Sequence, residues 1–285
     1  MARTQVDQPV RDDRVLGVTK VVSAVIVPVL LAAFVILFLF PGSTRTLWGW
    51  TIRSRMSAMF MGAGYLAGAV FFFRATRARE WHRLGPGIVA TTVFATTLGI
   101  VTFVQCDEFN HDHVSFWAWL VLYVATPLLL PVLYVRNRRY DPGPRPADVL
   151  VPRPVRVALA ALGAGQLLFA SLLFLRPSLF VDRWPWPLTT LSARGLAGFA
   201  AFPAVTYLAF AFERRWSALR WPFETAILGL TLVGTAGLRA TDEFDGAGVV
   251  WGWRIGLLVT LACLGGVWLR MQRLQPEAAA QPPDR

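Results

Sequence analysis

Six residues between positions 106 and 113 carry side chains that bind metals: Cys106, Asp107, Glu108, His111, Asp112 and His113. Thiolate, imidazole and carboxylate groups in one short stretch suit zinc or copper. His111 and His113 lie two apart, so an extended backbone would turn both to the same side. A metal site here would draw on Cys106, Asp107, His111 and His113 and would make the chain a metal-dependent membrane enzyme. The spacing follows no standard zinc signature, and the plainer alternative is a polar loop that has accumulated histidines.

Part of this stretch occurs twice. Cys106-Asp107-Glu108-Phe109 is echoed 135 positions later by Thr241-Asp242-Glu243-Phe244, without the cysteine and histidines. Each acidic copy has an arginine within reach in its own half. Arg55 is expected to pair with Asp107 or Glu108, and Arg194 with Asp242 or Glu243. Arg254, inside the last apolar run, could snorkel outward to join Asp242, Glu243 or Asp245. Such charges read either as structural ties between helices or as a polar pocket for a solute or ion.

The elements that must position these groups are membrane helices. The chain is 55% hydrophobic, only 16% charged, and has a mean hydropathy of +0.50. A soluble domain would carry nearer a quarter charged residues. The apolar residues come in blocks long enough to span a bilayer, which takes about 20 helical residues. A net charge of +11 does not point to nucleic acid, because the basic residues fall in short loops between apolar runs. The expected class is an all-α integral membrane protein. Eight spans are expected at about 21–40, 56–73, 86–105, 114–135, 157–175, 195–212, 223–239 and 249–269. A cytoplasmic amino tail (1–20) precedes a first four-helix unit (21–135). An Arg- and Pro-rich linker (136–156) leads to a second unit (157–270) and a carboxyl tail (271–285).

The two units read as parallel repeats. Pro41, Trp48 and Trp50 match Pro177, Trp184 and Trp186 at a shift of 136. Arg55, Ala58 and Phe60 match Arg194, Ala197 and Phe199 at 139, which implies a three-residue insertion, and Trp81 matches Trp216 at 135. With four spans per unit, both repeats share one orientation, unlike inverted repeats. Twenty of the 28 basic residues fall on the side of the two termini. Positive-inside therefore puts both termini in the cytoplasm and both acidic stretches outside. The near-absence of lysine suggests a GC-rich bacterial genome, hence a plasma membrane. Tryptophans near the span ends read as an aromatic belt, and Gly64 with Gly68 as a small-residue packing pair. Gln166 is expected to make an interhelical hydrogen bond, and Glu224 to pair with Arg220 or reach water. His82, among arginines, fits a lipid-headgroup surface.

Trp184-Pro185-Trp186-Pro187-Leu188-Thr189-Thr190-Leu191-Ser192-Ala193-Arg194 resembles a W-P-x-x-L-T-x-L-T-A-R-like segment that precedes the second helix in uncharacterised bacterial membrane proteins built from four-helix units. The first half keeps only Trp48-Gly49-Trp50 and Ser54-Arg55. The resemblance implies architecture and carries no activity. No phosphate-binding glycine loop occurs, and no histidine pair sits at helical spacing within a span. Three function classes follow: binding or transport of a small solute or ion at the polar outer face, an accessory or scaffold subunit of a membrane complex or homo-oligomer, and a metal-dependent enzyme using the 106–113 loop. All three take the lipid bilayer as surroundings.

Overall fold

Hydroxyl and proline residues set where the helices begin. Ser54 and Thr189 each accept, through the side-chain oxygen, the backbone N–H three residues on, and so start helices at Arg55 and Thr190. Pro86 and Pro154 occupy the first turn of two others, where a missing N–H costs nothing. The computed structural model describes residues 11–280. It contains α1 (Gly17–Phe34, continued by a π-helical turn, Val35–Leu39), α2 (Arg55–Arg77), α3 (Gly85–Val104), α4 (Val114–Arg138), α5 (Arg153–Leu175), α6 (Thr190–Phe212), α7 (Trp216–Arg239) and α8 (Ala247–Ala280). No strand occurs among the described residues, and seven of these helices are long and apolar enough to cross a membrane. The exception is α7, whose first half carries Arg220 and Glu224.

The outward faces of α1, α4, α5 and α8 expose large apolar side chains, among them Val21, Leu128, Leu168 and Leu258. In water such surfaces would aggregate, and in lipid they are solvated. Lipid supplies no hydrophobic drive between helices, so association rests on close packing. Gly62 lets α2 approach the backbone of Leu37 and Phe38, and a Cβ at Gly163 would lie 2.6–2.7 Å from backbone atoms of α6. Gly64 and Gly68 do not serve one helix pair as expected: Gly64 faces the Phe199 ring of α6, and Gly68 faces Leu30 of α1.

The helices pair α1 with α2, α3 with α4 and α5 with α6. The centre is crossed: α2 packs on α7, and α3 packs on α6. The two halves are therefore tied through their middle helices. The core contains Trp48, Trp50, Trp81, Trp186 and Trp216, so these five tryptophans pack inward and are not belt residues. A tryptophan's area stabilises far more when enclosed on all sides than when lying flat in headgroups.

The expected tails are partly structured. Asp13 is buried, its N–H bonds the Tyr140 carbonyl, and helix α1 already begins at Gly17. Residues 1–10 of the expected amino tail lie outside the described residues. At the other end α8 runs on to Ala280, through a stretch rich in alanine, the best helix former. The last five residues lie outside the description.

Candidate functional site

The face bearing both acidic turns rearranges the expected ion pairs. Arg55 does not reach Asp107 or Glu108. It binds Asp242 through Nη2 and Glu243 through Nε at 2.9 Å, both from the far half of the chain. Glu243 also accepts the Ser54 hydroxyl at 2.7 Å and the backbone N–H groups of Arg55 and Met56 at 2.9 and 3.0 Å. This carboxylate caps the start of α2, where unpaired N–H groups and the helix dipole favour negative charge. Burial pushes the Glu243 carboxyl up, but the N–H of Met56, the Ser54 hydroxyl and Arg55 outweigh that and hold it below the usual glutamate range. The pairing crosses halves because α2 packs on α7, a choice that linear proximity does not reveal.

Arg194 makes no ion pair with Asp242 or Glu243 and instead donates to the Phe174 carbonyl at 3.2 Å. It lies a turn inside α6. Arg55 directly follows its helix cap, Ser54, whereas Arg194 stands five residues after the cap Thr189. Arg254 likewise joins no carboxylate: Nη2 donates to Thr241 Oγ1 at 2.8 Å, and the guanidinium lies 5.5 Å from the Trp251 ring centre. Asp245 is held by its backbone N–H on the Pro185 carbonyl.

The first acidic turn caps nothing. Asp107 and Glu108 are exposed, and Glu108 accepts only from Gln105 Nε2, at 2.7 Å. The proposed metal ligands also diverge. Cys106 Sγ lies 3.4 Å from His111 Nε2, but His113 turns back to Ser115 Oγ and the Thr46 carbonyl. His113 is consumed in starting α4, where its Nδ1 also accepts the Ser115 N–H. Among the described residues no three His, Cys, Asp or Glu side chains converge on a metal position.

The opposite face, where α1, α3, α5 and α7 begin, carries polar residues of another kind. Arg215, buried at the start of α7, grips Asp141 of the linker at 2.8 Å and Glu213 at 2.7 Å. Burial would raise both carboxyls, but hydrogen bonds from Arg215 hold both below their usual values. Glu224 accepts from Arg220 at 2.8 Å, as the sequence suggests, and also from Arg74 and Trp268. His82 is buried and not on a headgroup surface. Asp13 holds its backbone N–H and its Nδ1, and Nε2 lies 3.0 Å from Ser217 Oγ. No sequence motif announces this trio, which comes from three segments far apart in the chain.

Between the two faces lies a cavity of about 540 Å³. All eight helices except those parts near the faces contribute, from Ile26 of α1 to Thr260 of α8. Its lining is aromatic and aliphatic, with a few hydroxyls and one amide and no charged residue. On one side the Tyr65 and Tyr123 hydroxyls bond each other at 2.8 Å. On the other, Gln166 donates to the Ala200 carbonyl at 3.2 Å, as expected of an interhelical bond. Tyr207 is almost wholly buried among the lining residues, and its hydroxyl bonds no protein group among the described residues. The cavity reaches the seams between α1 and α4 and between α5 and α8, pairs that make no substantial contact. Comparison with family models, with curated proteins and with solved structures gives no match for this chain.

Proposed function

We propose that this is a duplicated, eight-span protein of a bacterial plasma membrane with both termini in the cytoplasm. Its interior binds a neutral, largely apolar molecule that enters from the bilayer. The single observation that carries the binding reading is the uncharged cavity of about 540 Å³ with the unpartnered Tyr207 hydroxyl in its wall. That volume lies within the usual range of ligand pockets, and a wall of apolar surface with a few polar groups is how such pockets fix orientation. An ion or anionic solute would meet no counter-charge there, and burying a bare charge costs many kcal/mol. The seams at α1–α4 and α5–α8 supply side doors to lipid. The outer-face charges, by contrast, are spent on capping α2 and on turn structure, so the solute site moves from the surface to the interior.

The duplication is supported by contacts that recur at the repeat shift. Asn110 N–H bonds the Gly49 carbonyl as Asp245 N–H bonds Pro185, and Trp81 N–H bonds Asp13 as Trp216 N–H bonds Val149. Trp50 stacks edgewise on Phe109 as Trp186 does on Phe244. His82 meets Ser217, and Gly64 meets Phe199, each pair 135 apart, which is what equivalent positions do beside a two-fold axis along the membrane normal.

A neutral fluorophore such as N-phenylnaphthylamine tests the reading on purified protein in nanodiscs. It should bind with a blue-shifted, saturable signal that a long-chain alcohol displaces better than the matching fatty acid. Gly165→Phe, at a lining glycine with open space around it, should abolish binding, and Tyr207→Phe should remove the preference for alcohol. Unchanged binding in Gly165→Phe would sink the cavity as the site.

A further inference from the structure

We propose that Ser217, His82 and Asp13 form a hydrolytic site for carboxylic esters at the face where α7 begins. The geometry is that of a nucleophile, a base and a group that orients the base. His82 sits in the helical turn between α2 and α3, with 6% of its surface exposed. Asp13 Oδ1 accepts the His82 backbone N–H at 3.0 Å, and Oδ2 takes the ring at Nδ1. A carboxylate only accepts, so the ring proton belongs on Nδ1 and Nε2 is left with its lone pair. That lone pair faces Ser217 Oγ at 3.0 Å, the reach a general base requires.

The surroundings hold this arrangement at a cost. Asp13 has φ +61°, a left-handed conformation that non-glycine residues rarely adopt. Three bonds impose it: its N–H on the Tyr140 carbonyl, its carbonyl under the Trp81 N–H, and its carboxylate on His82. Strain maintained by neighbours marks places where a side chain must point one way. Arg145 Nη2, 3.9 Å from Asp13 Oδ2, places positive charge beside the carboxylate.

Ser217 is the second residue of α7, a helix whose first residue is preceded by no side-chain cap. The Trp216 N–H is used by Val149 and the Leu219 N–H by Arg215, while among the described residues the N–H groups of Ser217 and Ala218 have no partner. The Ser217 N–H, beside the nucleophile at the positive end of a 24-residue helix, suits an oxyanion, while Ala218 is fully enclosed. Ser217 itself is half-buried, so a substrate can reach it. One turn along, Arg83, paired with Glu80, lies 5.9 Å from the Trp221 ring centre, and Trp221 offers an aromatic face at the depth where headgroups meet acyl chains. The substrate class is therefore an ester of a lipid-like acyl chain.

In the reaction Ser217 Oγ adds to the ester carbonyl carbon while its proton passes to His82 Nε2. The carbon–oxygen bond to the alcohol then breaks, and the alcohol leaves with that proton. Water attacks the acyl-serine, gives a proton to His82, and releases the carboxylic acid as the proton returns to Ser217. The sum is ester plus water to acid plus alcohol, with no further reactant. Because His82 and Ser217 stand at matching positions of the two halves, only one such site can exist, on the line between them.

The test uses the full chain in nanodiscs and a fluorophosphonate probe, followed by peptide mass spectrometry. The expected result is one adduct, on Ser217, lost in Ser217→Ala and formed at least about a hundredfold more slowly in His82→Gln. Asp13 acts through His82 and is a positioning residue. With His111 and His113 replaced by alanine, the ring ¹⁵N shifts of His82 should report a single Nδ1–H tautomer, and Asp13→Asn should mix the tautomers. Equal labelling of native and Ser217→Ala chains, or no Ser217 adduct at millimolar probe while Tyr207→Phe and native chains both remain monodisperse, overturns the proposal. So does an adduct rate that His82→Gln leaves unchanged. None of these outcomes touches the fluorophore result, so the two readings fail separately.

Discussion

Glu243 shows how one side chain can join two distant segments. It receives two backbone N–H groups, a hydroxyl and a guanidinium across a sequence gap of 187 to 189 residues. Hydrogen bonds to charged groups contribute about 1.5–3 kcal/mol each, net of the bonds to water they replace. Since Arg55 is well solvated, the loss should come chiefly from the N–H and hydroxyl bonds. Glu243→Ala is expected to cost about 2 kcal/mol, read as a lower midpoint in denaturant titrations in detergent. Its pH dependence follows from the lowered carboxyl. The unfolded chain holds the proton at a higher pH than the folded one, so this contribution is complete above the ordinary glutamate value, near pH 4.3. It fades as pH falls towards and through the folded value. Melting temperature should therefore drop more steeply below about pH 4.5 in the native protein than in Glu243→Gln. Parallel slopes would remove Glu243 from the account. Glu108, of the other acidic turn, is exposed and among the described residues bonds only Gln105, so Glu108→Ala should be nearly silent in the same measurement.

At the scale of elements, the small residues decide which helices touch. Gly163 brings α5 within van der Waals reach of the α6 backbone, and nothing flexible stands where a side chain would go. Gly163→Leu should therefore push α5 away and lower stability by about 1–3 kcal/mol, the usual range for overpacking. Gly165→Leu, two residues on with open space, should cost far less. Thermal unfolding of the two variants side by side separates local crowding from a general intolerance of leucine in α5. Some helix boundaries were legible from the apolar runs alone, while the spans expected from 195 and 223 begin earlier, at Thr190 and Trp216, where polar residues open the helix. Spans expected at 86–105 and 114–135 emerge as Gly85–Val104 and Val114–Arg138. Which helix each face meets was not legible. Arg55 was expected beside Asp107 because α2 and α3 are neighbours in sequence, yet α2 lies on α7.

At the scale of the molecule, the crossed packing makes each half depend on the other. α2 contributes Ser54 and Arg55 to a turn of the second half, and α6 packs on α3 of the first. A chain cut within the linker, at about residue 145, should yield two fragments that are each unstable alone and that co-purify when produced together. A monodisperse, heat-stable first fragment would contradict this dependence.

Sequence by itself determined what depends on composition and near neighbours. Apolar blocks of spanning length and Arg-rich connections settle a multi-helix membrane protein without reference to any distant contact. The acidic turns were visible too, because they recur. Only the tertiary structure decided who bonds whom. The Glu243 cap, the crossed middle helices, the cavity wall around Tyr207 and the approach of Asp13, His82 and Ser217 all join residues dozens to nearly two hundred positions apart. Periodicity reports which face of a helix is apolar, and in a bilayer nearly every face is. The pattern that would name a helix's partner is therefore erased, and the choice passes to the shapes of glycine, tryptophan and tyrosine surfaces that meet only in the folded chain.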